Sequence, residues 1–83
     1  MYLARIRILL RSDVSDPQGQ TVEGGLRQLG FEGVESVRMG KYIEVRIQTP
    51  DEAQARRSVE EMCDRLLANP VIEDYTFDLE PAD

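Results

Sequence analysis

The stretch from Tyr2 to Arg11 constrains this chain most. Tyr2, Ala4, Ile6, Ile8 and Leu10 share one parity, and Leu3, Arg5, Arg7, Leu9 and Arg11 share the other. Successive side chains of a strand point to opposite faces, so this period describes a half-buried strand with an apolar inner face and a largely basic outer one. Such a strand needs neighbours for its backbone groups and a cover for its apolar side. The rest of the chain is read as supplying both.

After that strand, "SDVSDPQGQTVEGGLRQLGF" reads as a helix. Ser15 or Asp16 is available as N-cap, and Pro17 suits the first turn. Val22, Leu26 and Leu29 fall along one face, and Gly30 is placed to end the helix. Gly24 and Gly25 weaken it by about 1 kcal/mol each relative to Ala, unless another backbone approaches closely there. The next segment, "VESVRMGKYIEVRIQ", keeps Val37, Met39, Ile43, Val45 and Ile47 on odd positions. A two-residue hairpin at Met39-Gly40 would turn Glu44 and Arg46 into the core. That leaves either a three-residue turn with Gly40 in the left-handed region or one long strand bent at Gly40.

"TPDEAQARRSVEEMCDRLLANP" is the clearest helix. Thr49 is expected as its N-cap with Glu52 three residues on, and Ala55, Val59, Met62, Cys63 and Leu66 as its buried stripe. Asn69 is expected to end it in a left-handed conformation, with Pro70 blocking continuation. A last strand then carries Tyr75, Phe77 and Leu79 on one face and Asp74, Thr76, Asp78 and Glu80 on the other, before a frayed tail. The order strand, helix, strand, strand, helix, strand points to a single domain over residues 1–83. Its class is α+β: a βαββαβ two-layer sandwich with a ferredoxin-like antiparallel sheet and two helices on one face. With the last strand beside the first, Arg5, Arg7 and Arg11 would face Asp74, Asp78 and Glu80, which explains the basic stripe without a phosphate ligand.

Composition narrows the chemistry. Eighty-three residues with one cysteine and no histidine leave no internal disulfide, no His/Cys zinc site and no imidazole base. Domains this small commonly need disulfides, metals or association for stability, and association is the route left. The formal charge of −6 argues against general nucleic-acid binding. No signal peptide or apolar span of about 20 residues is present, so a soluble cytoplasmic protein without membrane contact is expected. Cys63 lies on an apolar helical stripe with no activating partner and is read as packing. Asp51/Glu52 and Glu60/Glu61 are read as a helix cap and a solvated face rather than acid/base dyads or metal ligands. The glycines around the first helix match neither a dinucleotide fingerprint nor a P-loop.

Two rigid, charged corners remain: Arg38-Met39-Gly40-Lys41, and Asn69-Pro70 followed by Glu73. Arg38, Gly40, Lys41, Asn69, Pro70 and Glu73 are therefore the candidate partner-binding residues. No catalytic residue and no metal ligand is assigned.

The strings "DPQGQTV", "LGF", "VESVRMGKYIEV" and "LLANPVIEDY", in this order and spacing, resemble the PurS family, the small subunit of phosphoribosylformylglycinamidine synthase. The resemblance implies a chain that is not itself a catalyst. It implies an adaptor joining a glutaminase subunit to a large synthetase subunit and supporting ammonia transfer in de novo purine biosynthesis. It further implies that ATP, Mg and glutamine are used by the complex and that this subunit binds no cofactor. Asp16, Pro17, Gln18 and Gly19 form the matching loop motif. Self-association as a dimer or tetramer is expected, with Leu3, Leu9 and Tyr42 on the outer sheet face as a surface to be covered. The alternative is a regulatory module of the ACT type, which shares the element order and binds small molecules between subunits. An acylphosphatase would need an anion-binding loop after the first strand, where "RSDVSDPQG" supplies Asp instead.

Overall fold

A computed structural model describes all residues from Met1 to Asp83. The elements are β1 (Tyr2–Leu10), α1 (Pro17–Gln28), β2 (Gly40–Ile47), α2 (Glu52–Met62, continued by a π-helical turn over Cys63–Leu67) and β3 (Glu73–Pro81). The sheet is antiparallel in the order β2-β1-β3, so the last strand does lie beside the first. This is the expected α+β class with a ferredoxin-like antiparallel sheet.

The parity of β1 sets the layers. Ala4, Ile6 and Ile8 are fully covered, and Ile6 is flanked by Ile43 on one side and Phe77 on the other. α2 lies over β1 and β3 and adds Ala55, Val59 and Cys63 to the buried set. Only eight of 83 residues are buried, a core as thin as the length implied. On the opposite face the ion pairs form as anticipated: Arg5 to Glu80 at 2.7 Å, Arg7 to Asp78 at 3.0 Å and Arg11 to Asp74 at 3.4 Å.

Four details differ from the sequence reading. Asp51, not Thr49, caps α2, its carboxylate accepting the Gln54 N–H at 2.8 Å, while Thr49 Oγ1 donates to the Asp51 carbonyl. Leu66 is 83% exposed. The π turn, in which the Ala68 N–H donates to the Cys63 carbonyl, carries the stripe past Leu66, so Leu67 and Ala68 meet the core instead. Asn69 has no left-handed backbone, since Gly30 alone has a positive φ. The tail is held rather than frayed, with β3 reaching Pro81 and the Ala82 N–H donating to the Met1 carbonyl.

The segment before β2 resolves the choice left at Gly40. Gly40 is not left-handed, so no tight turn forms and the chain runs through it into β2. Gly40 lies opposite Leu9, near the end of β1, so residues 34–39 run on beyond the ladder and have no strand partner. The sheet therefore holds three strands. Glycine is required at this point for another reason: a Cβ would collide with the Ile8 carbonyl oxygen and lie 2.6 Å from Leu9 Cδ2. No space is contested at Gly24 or Gly25, so their cost to α1 is uncompensated within one chain.

Candidate docking corners

The first corner gathers residues from three elements around the end of α2. Lys41, opposite Ile8, and Glu73, opposite Leu10, both point to the helix side of the sheet. Lys41 Nζ donates to the Leu67 carbonyl at 3.2 Å and stands 3.9 Å from Glu73 Oε2. A cation here satisfies a carbonyl that the helix end leaves without a partner. Glu73 Oε1 accepts the Asn69 N–H at 2.7 Å, and Asn69 Oδ1 accepts the Val71 N–H at 3.0 Å. The Asn69 carbonyl accepts from both Ile72 and Glu73, which turns the chain through Pro70 into β3. Arg11 closes the outside, donating to the Pro70 carbonyl at 3.1 Å while pairing with Asp74. Five of the six candidate residues belong to this corner: Gly40 shapes its strand, and Lys41, Asn69, Pro70 and Glu73 build it. The side chain of Glu73 is only 16% exposed. It is tied into the turn, whereas Lys41 keeps a half-exposed ammonium.

The second corner explains "DPQG". Asp16 caps α1 by accepting the Gly19 N–H at 2.9 Å, and its other oxygen accepts the Met39 N–H at 2.7 Å. These two N–H groups, Gly19 first, hold the Asp16 carboxyl below the usual carboxylate range. Gly19 is buried, and a side chain there would collide with the Val37 carbonyl. Pro17 occupies the first turn beside it. Arg38 donates to the Leu10 carbonyl, and with Arg11 it lines an open cleft of about 570 Å³ between the β1–α1 loop and residues 36–38. Arg38 thus belongs to this corner rather than to the one holding Lys41.

Reactive groups elsewhere are packed or paired. Cys63 is buried, and desolvation, followed by the negative charges of Asp64 and Glu60, pushes its thiol up, away from the thiolate. Tyr75 is likewise raised, first by burial and then by its hydrogen bond to Asp64 at 3.2 Å. No three His, Cys, Asp or Glu side chains converge as a metal site, and no helix is long and apolar enough to cross a membrane. The bonds from Arg11 to Pro70 and from Lys41 to Leu67 were not foreseen. Each joins residues far apart in sequence through a backbone carbonyl, which no residue pattern encodes.

The fold and its corners define a class: small ferredoxin-like domains whose charged residues shape turns and edges rather than converge on a reacting atom. Within it, the chain matches the family model described as PurS: Phosphoribosylformylglycinamidine (FGAM) synthase over residues 3–81, and it belongs to that family. It is 53% identical over 78 residues to the phosphoribosylformylglycinamidine synthase subunit PurS of Synechocystis sp., covering 94% of this chain and 78% of that one. The crystal structure of Methanocaldococcus jannaschii PurS, described as a subunit of formylglycinamide ribonucleotide amidotransferase in the purine biosynthetic pathway, superposes with a TM-score of 0.87 at 41% identity over the whole of both chains. A chain of the Thermotoga maritima PurLQS structure superposes with a TM-score of 0.85 at 31% identity, covering 96% of this chain and 99% of that one.

Proposed function

We propose that this chain is the adaptor subunit of a cytoplasmic phosphoribosylformylglycinamidine synthase complex. In this reading it self-associates and joins a glutaminase subunit to a large synthetase subunit. The complex uses ATP, Mg and glutamine to convert formylglycinamide ribonucleotide to formylglycinamidine ribonucleotide. The adaptor contributes position: ammonia released at one site must reach the other before water takes it, and a rigid spacer holds the two sites in register.

The observation that carries this reading is the near full-length likeness to a chain of the PurLQS structure, a PurS-containing assembly by its name. The corners agree with it. Lys41 and Arg38 are cations fixed by backbone carbonyls at the sheet end and beside the α1 cap, and anchored charge of this kind guides a partner into register. Arg38, Gly40, Lys41, Asn69, Pro70 and Glu73 remain the proposed docking set, with Gly40, Asn69, Pro70 and Glu73 shaping the surface and Lys41 and Arg38 presenting charge. A thin core and the outer-face side chains of Leu9 and Tyr42, both exposed, support self-association.

The experiment is capture of the tagged chain from its native extract with identification of the proteins that accompany it. Recovery of a synthetase and a glutaminase supports the adaptor. Recovery of neither, at expression levels that saturate the tag, contradicts it.

A further inference from the structure

β3 forms one edge of the sheet and is bonded to β1 alone. Its nine residues, Glu73 to Pro81, pair with β1 one to one, without a bulge. Two bonds at its ends fix which backbone groups look outward. The Arg11 N–H donates to the Ile72 carbonyl, and the Ala82 N–H donates to the Met1 carbonyl. Opposed residues of an antiparallel ladder alternate between bonded and unbonded pairs. The even residues of β3 therefore bond to β1, and the odd ones turn their backbone groups to the open side. Pro81 agrees, since its missing N–H falls on that side. The Glu73 N–H is already taken by the Asn69 carbonyl. This leaves the N–H groups of Tyr75, Phe77 and Leu79, and the carbonyls of Glu73, Tyr75, Phe77 and Leu79, as an unpaired row that no loop or side chain bonds to.

An open row of this kind is a template for another strand, and edges are commonly blunted by a lysine, a proline, a bulge or a cover. Here only charge of one sign guards it. Asp74, Asp78 and Glu80 stand on the outer face, their side chains 74%, 67% and 48% exposed. Each gives one oxygen to an arginine, at Arg11, Arg7 and Arg5 in turn, and the second oxygen of each has no partner in the chain. On the inner face Tyr75, Phe77 and Leu79 are half-buried, with the Tyr75 and Phe77 rings stacked at 6.3 Å. A strand arriving beside β3 thus meets an acidic outer row and an apolar inner one. If it arrives antiparallel, bonded to the odd residues, the three carboxylates fall in the unbonded pairs, where facing side chains come closest.

We propose that the open edge of β3 docks an extended segment of a different protein, about five residues long, whose side chains alternate apolar and basic. Its backbone fills the row at Tyr75, Phe77 and Leu79, its apolar side chains extend the inner layer, and its Lys or Arg side chains reach the free carboxylate oxygens. Main-chain bonds supply the hold and the alternation supplies the choice of partner. The chain itself shows the fit, because β1 has this pattern and lies against the other side of β3, where Arg5 and Arg7 meet Glu80 and Asp78. A second copy is the wrong occupant. Two β3 edges brought together would set Asp74, Asp78 and Glu80 against the same acidic row, and like charges facing across strands destabilise the pair. The β1 of a second copy is also spent, since it has a strand on each side. The adaptor reading concerns which subunits are joined; the edge concerns the chemistry of a strand and is decided separately from it.

The probe is the blocked peptide YLARIRILLR, a copy of residues 2–11, added to the ¹⁵N-labelled full-length chain while amide hydrogen exchange is followed residue by residue. At saturating peptide the Tyr75, Phe77 and Leu79 amides should exchange at least about tenfold more slowly, with the β1 amides unchanged. The same peptide with glutamate at its three arginine positions should protect none of them. The paired change Asp74→Asn with Asp78→Asn, at exposed ion pairs that add little to folding, should raise the half-saturating peptide concentration by about threefold or more. Unprotected amides at saturation, equal protection by the glutamate peptide, or an unchanged half-saturation in the folded double variant would each overturn the docking edge. Protection that grows with chain concentration in the absence of peptide would assign the edge to a second copy and overturn it too. The exchange is then repeated with purified synthetase and glutaminase present. Slowing of the same three amides in the assembly is expected, and an assembly that leaves them fast removes the edge as a docking site. Failure of both subunits to bind the chain would instead count against the adaptor reading, with the peptide still deciding the edge.

Discussion

Gly40→Ala tests whether the start of β2 is fixed by close backbone approach. The new methyl would collide with the Ile8 carbonyl oxygen, which belongs to the sheet and cannot swing away like a side-chain tip. It would also lie 2.6 Å from Leu9 Cδ2, roughly 1 Å inside the separation at which carbon atoms attract. Overpacking of this kind costs about 1–3 kcal/mol, and exchanging Gly for Ala within an element returns about 0.5–1 kcal/mol. A net loss of about 1–2 kcal/mol is expected. With a urea slope near 1 kcal/mol/M for so small a chain, the midpoint falls by about 1–2 M. The assay is urea denaturation followed by circular dichroism at one fixed protein concentration, because association would otherwise move the midpoint. Gly24→Ala is the internal control. No atom lies near its added methyl, it faces away from the apolar stripe of α1, and it should gain up to about 1 kcal/mol. If Gly40→Ala unfolds at the parent midpoint, the close approach does not govern this strand.

Three further outcomes follow from the corners and the core. Cys63→Ser places a hydroxyl in an apolar site and should lower stability by about 1–3 kcal/mol in thermal unfolding. Glutamine-dependent activity of the reconstituted complex should persist at permissive temperature, and its loss in a folded, assembled variant would show that the thiol acts. Asp16 and Glu80 are both depressed, the first by the Gly19 and Met39 N–H groups and the second by its hydrogen bond to Arg5. Their contribution is therefore complete above their unfolded values, near pH 4, and is lost as pH falls through the lower folded values. Asp16→Asn should flatten that part of the stability profile between about pH 2 and 5. Lys41→Ala and Arg38→Ala should leave the fold nearly intact while weakening partner assembly in a titration. Glu73→Ala should lower stability as well, because its carboxylate holds the Asn69 N–H at 2.7 Å. Wild-type assembly by both cation variants would remove these corners from the docking surface.

Legibility in the sequence tracked the locality of the physics. Period-two alternation located β1 and the inner face of β3. The element order placed β3 beside β1, the facing opposite charges agreed with it, and the Asp16-Pro17 pair marked the start of α1. The Asn69-Pro70 corner was visible as a helix stop, but its geometry was not. Asn69 turns the chain through hydrogen bonds to Val71, Ile72 and Glu73 rather than through a left-handed backbone. The π turn displaced Leu66 because a single wider turn shifts every later residue around the helix, and nothing in "CDRLL" announces it. The alternation holds only after Gly40, where Ile43 and Val45 pack against the core, and Val37 and Met39 before it do not reach it. Whether the chain turned back there depended on the φ of one glycine, which a sequence does not specify. The candidate docking residues were legible as charged corners. Their division into two sites was not, because Arg38 and Lys41 are neighbours in sequence yet bond to different elements, Arg38 to Leu10 at the end of β1 and Lys41 to Leu67 at the end of the α2 helix.

The adaptor role is tested most directly by titrating the chain into a fixed mixture of synthetase and glutaminase and following formylglycinamidine ribonucleotide formation with either glutamine or ammonia as nitrogen donor. The account predicts that the glutamine-dependent rate rises from near zero and saturates at a fixed stoichiometric ratio, while the ammonia-dependent rate changes far less. A full glutamine-dependent rate without the chain, or equal stimulation of both rates, would contradict it.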